Sequence, residues 1–123
     1  MATIDVTSDA FDAVVEDGEV VVVDFWAAWC GPCRQFSPVF EKASEDRPDI
    51  VFAKVDTEAE RDLAARASIT SIPTLMAFRQ GILVYARPGA MPAPALSELI
   101  AAVRSLDMDE VRAQLDAESS AAG

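Results

Sequence analysis

Two cysteines, Cys30 and Cys33, are the only ones in the chain's 123 residues, and two residues separate them. Such a pair can close into a small disulfide ring or open into two thiols, so it can carry two electrons. A reactive cysteine must be reachable and must ionise. The pair follows an apolar run at once and precedes a helical pattern, which places Cys30 at a helix N-terminus, where partial positive charge favours the thiolate. Cys33 falls one turn inside the helix, shielded yet able to attack a mixed disulfide on Cys30. The chemistry read from the spacing is two-step exchange, with Cys30 as attacker and Cys33 as resolver.

Other readings of the pair fare worse. A zinc site needs two more ligands, and the chain has no His and no third Cys. A structural disulfide over so short a loop would constrain the unfolded chain little. Haem attachment needs a His after the second Cys, where Arg34 stands.

Asp24 and Lys54 interrupt two otherwise apolar runs. Asp24 shares a strand face with Val22 and Trp26 by alternation. Burial raises a carboxyl's pKa, so Asp24 is suited to take the proton from Cys33, through a water, during resolution. If the two runs are neighbouring strands, Lys54 approaches Asp24 and tunes it. The competing reading is a structural polar pair, with Lys54 reaching to the edge. Trp26 reads as core, and Trp29, directly before the attacker, as contact surface.

The elements that must position these residues follow from periodicity. Thr3–Val6 reads as a short edge strand. Thr7 and Ser8 offer caps for a helix over about 8–16, ended by Gly18. The run from Val20 to Trp26 is a strand buried on both faces, as in a parallel sheet. Phe36, Val39, Phe40 and Ala43 mark the helix after the cysteines, with Pro38 inside it as a kink and Pro48 closing it. Ile50–Asp56 is a second strand. Thr57 and Glu60 have the spacing of a capping box for a helix to about Arg66. Thr74–Phe78 and Ile82–Ala86 flank Arg79-Gln80-Gly81 as a hairpin. Pro94 opens a last core helix, with a stripe of Leu96, Leu99, Ile100, Val103 and Leu106. The order β-α-β-α-β-α-β-β-α predicts an α/β domain with a mixed sheet, parallel early and a hairpin late. Residues 1–106 read as that domain and 107–123 as an extension. In the extension, Asp107 and Glu110 suggest a capping box for a short helix bearing Met108, Val111 and Leu115, and Glu118–Gly123 is expected to fray.

Composition sets the remaining bounds. With 51% hydrophobic and 25% charged residues, the chain has the make-up of a soluble globular domain. At this length about two-thirds of the unfolded surface can be buried. The N-terminus has no basic or apolar leader pattern, and the longest apolar run falls far short of a membrane span, so a cytoplasmic location is expected. The net charge is −11, and no Lys or Arg occurs before Arg34. Such a chain repels phosphate backbones, so neither nucleic acid nor membrane is an expected partner.

Together these residues carry a resemblance. Asp24-Phe25-Trp26-Ala27, Trp29-Cys30-Gly31-Pro32-Cys33, Pro38, Lys54-Val55-Asp56, Ile72-Pro73-Thr74, Phe78, Gly81 and Gly89 match the pattern of the thioredoxin family over about residues 3–106. The resemblance implies the thioredoxin fold, a central mixed sheet with helices on both faces. It implies a cis Ile72–Pro73 bond against the cysteines. It also implies a shallow groove for an extended substrate segment, made by Trp29, Gly31, Pro32, Ile72, Pro73, Gly89 and Ala90. No bound cofactor is implied. Disulfide-containing proteins would be the substrates of a monomer re-reduced by thioredoxin reductase, which draws on NADPH. The Gly-Pro dipeptide between the cysteines favours a reductase over an isomerase or oxidase. The proline-rich stretch Gly89–Pro94 departs from the pattern, and its Met91 is positioned to add an apolar contact beside the groove. A different class, a binding module or chaperone indifferent to its thiols, would suit the acidic surface and the extension.

Overall fold

The structure is a computed structural model that describes residues 2–122. Ten elements follow one another: β1 (Thr3–Asp5), α1 (Phe11–Asp17), β2 (Val20–Trp26), α2 (Gly31–Asp46), β3 (Val51–Asp56), α3 (Arg61–Arg66), β4 (Thr74–Arg79), β5 (Ile82–Pro88), α4 (Ala93–Arg104) and α5 (Met108–Ala122). The five strands form one sheet in the order β1-β3-β2-β4-β5. β3 runs parallel to both β1 and β2, while β4 and β5 are antiparallel to their neighbours.

β2 lies at the centre, and its alternation builds two cores. Val20 and Val22 point to the face covered by Phe36 and Phe40 of α2 and by Leu96, Ile100 and Val103 of α4. Val21, Val23 and Phe25 point to the face covered by Phe11 and Val15 of α1 and by Leu63 of α3. Helices on both faces explain why the run is apolar throughout.

Local rules are overridden at two helix starts. α1 begins at Phe11, three residues later than Ser8, and has no side-chain cap. The Ser8 amide and hydroxyl both donate to the Glu60 carboxylate, at 2.8 and 3.2 Å. That same contact removes Glu60 from the expected capping box. α3 begins at Arg61 without a side-chain cap. The Asp56 carboxylate takes the Glu58 and Ala59 amides instead, and Thr57 Oγ1 donates to the Trp26 carbonyl. The polar groups meant for local caps are satisfied across elements.

Other boundaries follow their residues closely. Gly18 ends α1 where an added Cβ would lie 2.6 Å from Val21 Cγ2, so close approach rather than backbone twist requires the glycine. α2 stops at Asp46 because Arg47 precedes Pro48 and leaves the helical region, at φ −135° and ψ 72°. Gln80 and Gly81 have φ of 53° and 78°, the paired left-handed residues of a tight two-residue hairpin turn.

α5 is longer than the sequence suggests. Asp107 Oδ1 accepts from the Asp109 and Glu110 amides, which makes it the cap. The helix then runs through Ala122, across most of the stretch expected to fray; Gly123 lies outside the described residues. Met108 is buried, and Arg112 pairs with Asp109 and bonds Gln80 of the hairpin turn. Met108→Ala should therefore cost about 2 to 3 kcal/mol in urea unfolding. Leu115→Ala, at an exposed site on the same helix, should cost under about 0.5 kcal/mol. Equal costs would mean that Met108 does not anchor α5.

Candidate functional site

β2 ends at Trp26, and the chain turns through Ala27–Trp29 into α2. Cys30 is the cap of that helix, with extended backbone at φ −88° and ψ 114°. Its Sγ accepts the Cys33 amide at 3.2 Å, and its carbonyl accepts the Arg34 amide at 3.2 Å. The Cys33 N–H, one of the free donors at the start of α2, therefore points at this sulfur, where it favours negative charge. Gly31 and Pro32 fill the first two helical positions, where proline's missing N–H costs nothing. Nothing lies within 4 Å of where a Gly31 Cβ would sit, so the approach above it is open.

Cys30 and Cys33 are joined as a disulfide, their Cα atoms 5.2 Å apart. Cys33 packs behind Cys30 in a small cluster with Ala27, and Trp26 and Ile72 lean on it. The Ile72–Pro73 peptide bond is cis. It places the Ile72 carbonyl 3.7 Å from Cys30 Sγ. Gly89 donates its amide to the Pro73 carbonyl at 2.7 Å, which ties the end of β5 to the same wall. Ala90 is exposed beside it. Met91 is half-buried against the α2/α4 core. Trp29 is 67% exposed, so this large apolar side chain borders the cysteines in open solvent. Its Nε1 donates to Glu58 at 2.7 Å, and Arg61 holds the other Glu58 oxygen at 2.9 Å.

Asp24 and Lys54 are register partners on β2 and β3. Asp24 is fully buried, and neither carboxyl oxygen has a hydrogen-bond partner. Desolvation pushes its pKa up from 3.8 to about 7, against the opposing pull of the Lys54 charge. Lys54 itself donates to Ser37 Oγ at 3.0 Å and lies 4.9 Å from the Trp26 ring centre. A cleft of about 650 Å³, lined in part by Trp26, Ser37 and Lys54, opens there.

The structure thus packs Ile72 on Cys30 and Cys33, joins Pro73 to Ile72 by the cis bond and to Gly89 through its carbonyl, and sets Asp24 beside Lys54 one strand apart. Sequence reasoning passed over two residues at this site. Ser37 carried a usable signal, standing four residues after Cys33 and so on the same face of α2. Glu58 carried none, because the β3–α3 loop alone brings it to Trp29. Among the described residues, no group of three or more His, Cys, Asp or Glu is placed to hold a metal ion, and no helix is long and apolar enough to cross a membrane.

The comparisons agree with this geometry. The family model described as thioredoxin matches residues 2–102. A relative in Streptomyces coelicolor, named "Putative thioredoxin 2", is 52% identical over 122 residues, which is 99% of this chain and 91% of that protein. That alignment also takes in α5. Thioredoxin-1 of Saccharomyces cerevisiae is 41% identical over 96 residues, covering 78% of this chain and 92% of its own. Among solved structures, a mutant thioredoxin from Halobacterium salinarum superposes with a TM-score of 0.77 at 34% identity, over 85% of this chain and 91% of that one. A Plasmodium falciparum thioredoxin superposes at 0.73 with 35% identity, over 80% and 96%. An α/β domain with this sheet order, a disulfide capping the helix after its central strand and these relatives belongs to the thioredoxin family, and its activity is thiol–disulfide oxidoreduction on disulfide-containing substrates.

Proposed function

We propose that the chain works as a cytoplasmic protein-disulfide reductase, monomeric and re-reduced by thioredoxin reductase at the expense of NADPH. The observation that carries this reading is the position of Cys30 Sγ at the α2 cap, accepting the Cys33 amide next to the exposed Trp29 and the open space over Gly31. In the dithiol form the Cys30 thiolate attacks one sulfur of a substrate disulfide. A mixed disulfide forms and the first substrate thiolate leaves. Cys33 then gives its proton to the Asp24 carboxylate, through a water, and its thiolate attacks Cys30 Sγ. The second substrate thiolate leaves, and Cys30–Cys33 closes. The substrate disulfide gains two electrons and the protein's dithiol loses two.

Trp29, Gly31, Pro32, Ile72, Pro73, Gly89 and Ala90 form the groove in which an extended substrate segment lies beside Cys30. Lys54 tunes Asp24. The domain ends at residue 106, and residues 107–123 are an extension that the family model does not reach.

Insulin reduction tests the electron source. With thioredoxin reductase, NADPH oxidation should track turbidity one for one in disulfides reduced. Turnover with dithiothreitol but none with the reductase would keep the exchange chemistry and reject this electron donor.

A further inference from the structure

Asp24 and Lys54 lie in register on adjacent strands, on the sheet face that α2 covers. Opposite charges so placed ordinarily close an ion pair. Here they do not: both Asp24 oxygens are unpartnered, and the Lys54 ammonium is bonded to Ser37 Oγ at 3.0 Å and lies by the Trp26 ring. Ser37 stands one helical turn after Cys33, so one helix carries both the sulfur and this hydroxyl. We propose that Ser37 is a positioning residue, its hydroxyl and the Trp26 ring together holding the Lys54 ammonium out of an ion pair with Asp24 and leaving that carboxyl able to exchange a proton.

The other charges nearby have partners of their own or face solvent. Arg34 of α2 bonds the Ala28 carbonyl, and Glu41 of α2 takes the Ala2 amide and the Thr3 hydroxyl. Asp56 takes the amides beyond β3, and Glu60 takes Ser8. Asp5 of β1 is the register partner of Lys54 on its other side and lines the same cleft, but it is exposed and makes no ion pair with Lys54 among the described residues. β4 sets Leu75 beside Asp24, and the charged side chains of α4, Glu98 and Arg104, are exposed. Lys54 is therefore the cation whose placement decides the matter. A closed ion pair would favour the carboxylate and lower the pH at which Asp24 titrates. A proton acceptor works best when that pH lies near the working pH. Ser37 thus acts on the resolution step through Lys54 and Asp24, without touching the reacting sulfurs. This use of Asp24 rests on the reading proposed above.

The test is a titration of the Asp24 side-chain carboxyl by ¹³C NMR in the oxidised protein, with no substrate present. Ser37→Ala should lower the midpoint by about one pH unit, a tenfold change in ionisation. Ser37→Thr, which keeps the hydroxyl, should leave it where the native protein has it. In a Lys54→Met background, Ser37→Ala should have no further effect. A midpoint unchanged or raised by Ser37→Ala, or a fall that persists without Lys54, overturns the proposal. A turnover pH profile unaltered by Asp24→Asn would instead reject the proton-acceptor role, and leaves the NMR result to stand or fall by itself.

Discussion

Cys30→Ser is expected to abolish disulfide reduction, by on the order of a thousandfold or more. Serine keeps the cap geometry at the start of α2, so the fold should survive, but a hydroxyl at that position does not ionise at neutral pH and cannot open a disulfide. Cys33→Ser should fail differently. Its Cys30 still attacks and still sits at the helix cap, next to the exposed Trp29. Without the resolving thiol, each attack on a substrate ends as a mixed disulfide. Non-reducing electrophoresis with a disulfide-containing protein should therefore show a stable adduct for Cys33→Ser and none for Cys30→Ser. Comparable adducts from both variants would contradict the division into attacker and resolver. So would appreciable turnover without Cys30.

Asp24→Asn should stabilise the oxidised protein, and the gain should depend on pH. The folded protein holds the Asp24 carboxyl at a pKa of about 7, above the 3.8 of an exposed group, because ionisation would bury an unsolvated charge. Below about pH 4 the carboxyl is neutral in both states and costs nothing. As pH rises from about 4 to about 7, the unfolded chain is ionised while the folded protein keeps its proton, so stability is lost over that window and the loss levels off above about 7. The gap from 3.8 to about 7 corresponds to about 4 kcal/mol. Urea unfolding of native and Asp24→Asn protein should coincide near pH 4 and diverge by about that amount at pH 8. The same variant should slow resolution about a hundredfold at neutral pH, since the proton acceptor is gone. A stability gain that is flat across pH would mean that Asp24 is not held neutral by burial. The two effects have opposite signs, as expected where a site gives up stability for chemistry.

The central strand was legible because its pattern is extreme. Seven residues from Val20 to Trp26, with one acid among apolar neighbours, have few readings other than a strand covered on both faces. The hairpin and the stop before Pro48 were equally local, each fixed by what one or two residues allow of their own backbone. The starts of α1 and α3 were not. Ser8 and Glu60 each carry a group suited to a local cap, and the tertiary structure pairs them with each other across 52 positions. No spacing rule anticipates that choice. The far end of α5 was under-read for a related reason, because Met108 packs on the domain and lends the helix an anchor that composition does not reveal.

The site divides along the same line. Sequence by itself determined where these groups stand along the chain: two sulfurs a helical turn apart, with an acid on the strand that leads to them. Those facts depend on covalent order and on the period of strand and helix. Only the tertiary structure decided what surrounds them: the cis Ile72–Pro73 wall at Cys30, the Gly89 tie to Pro73, the Glu58 brace on Trp29, and the diversion of Lys54 to Ser37. Each joins residues far apart in the chain. Such contacts form only when the sheet order and helix packing bring their elements together, so the spacing of residues along one element does not give the distances between them.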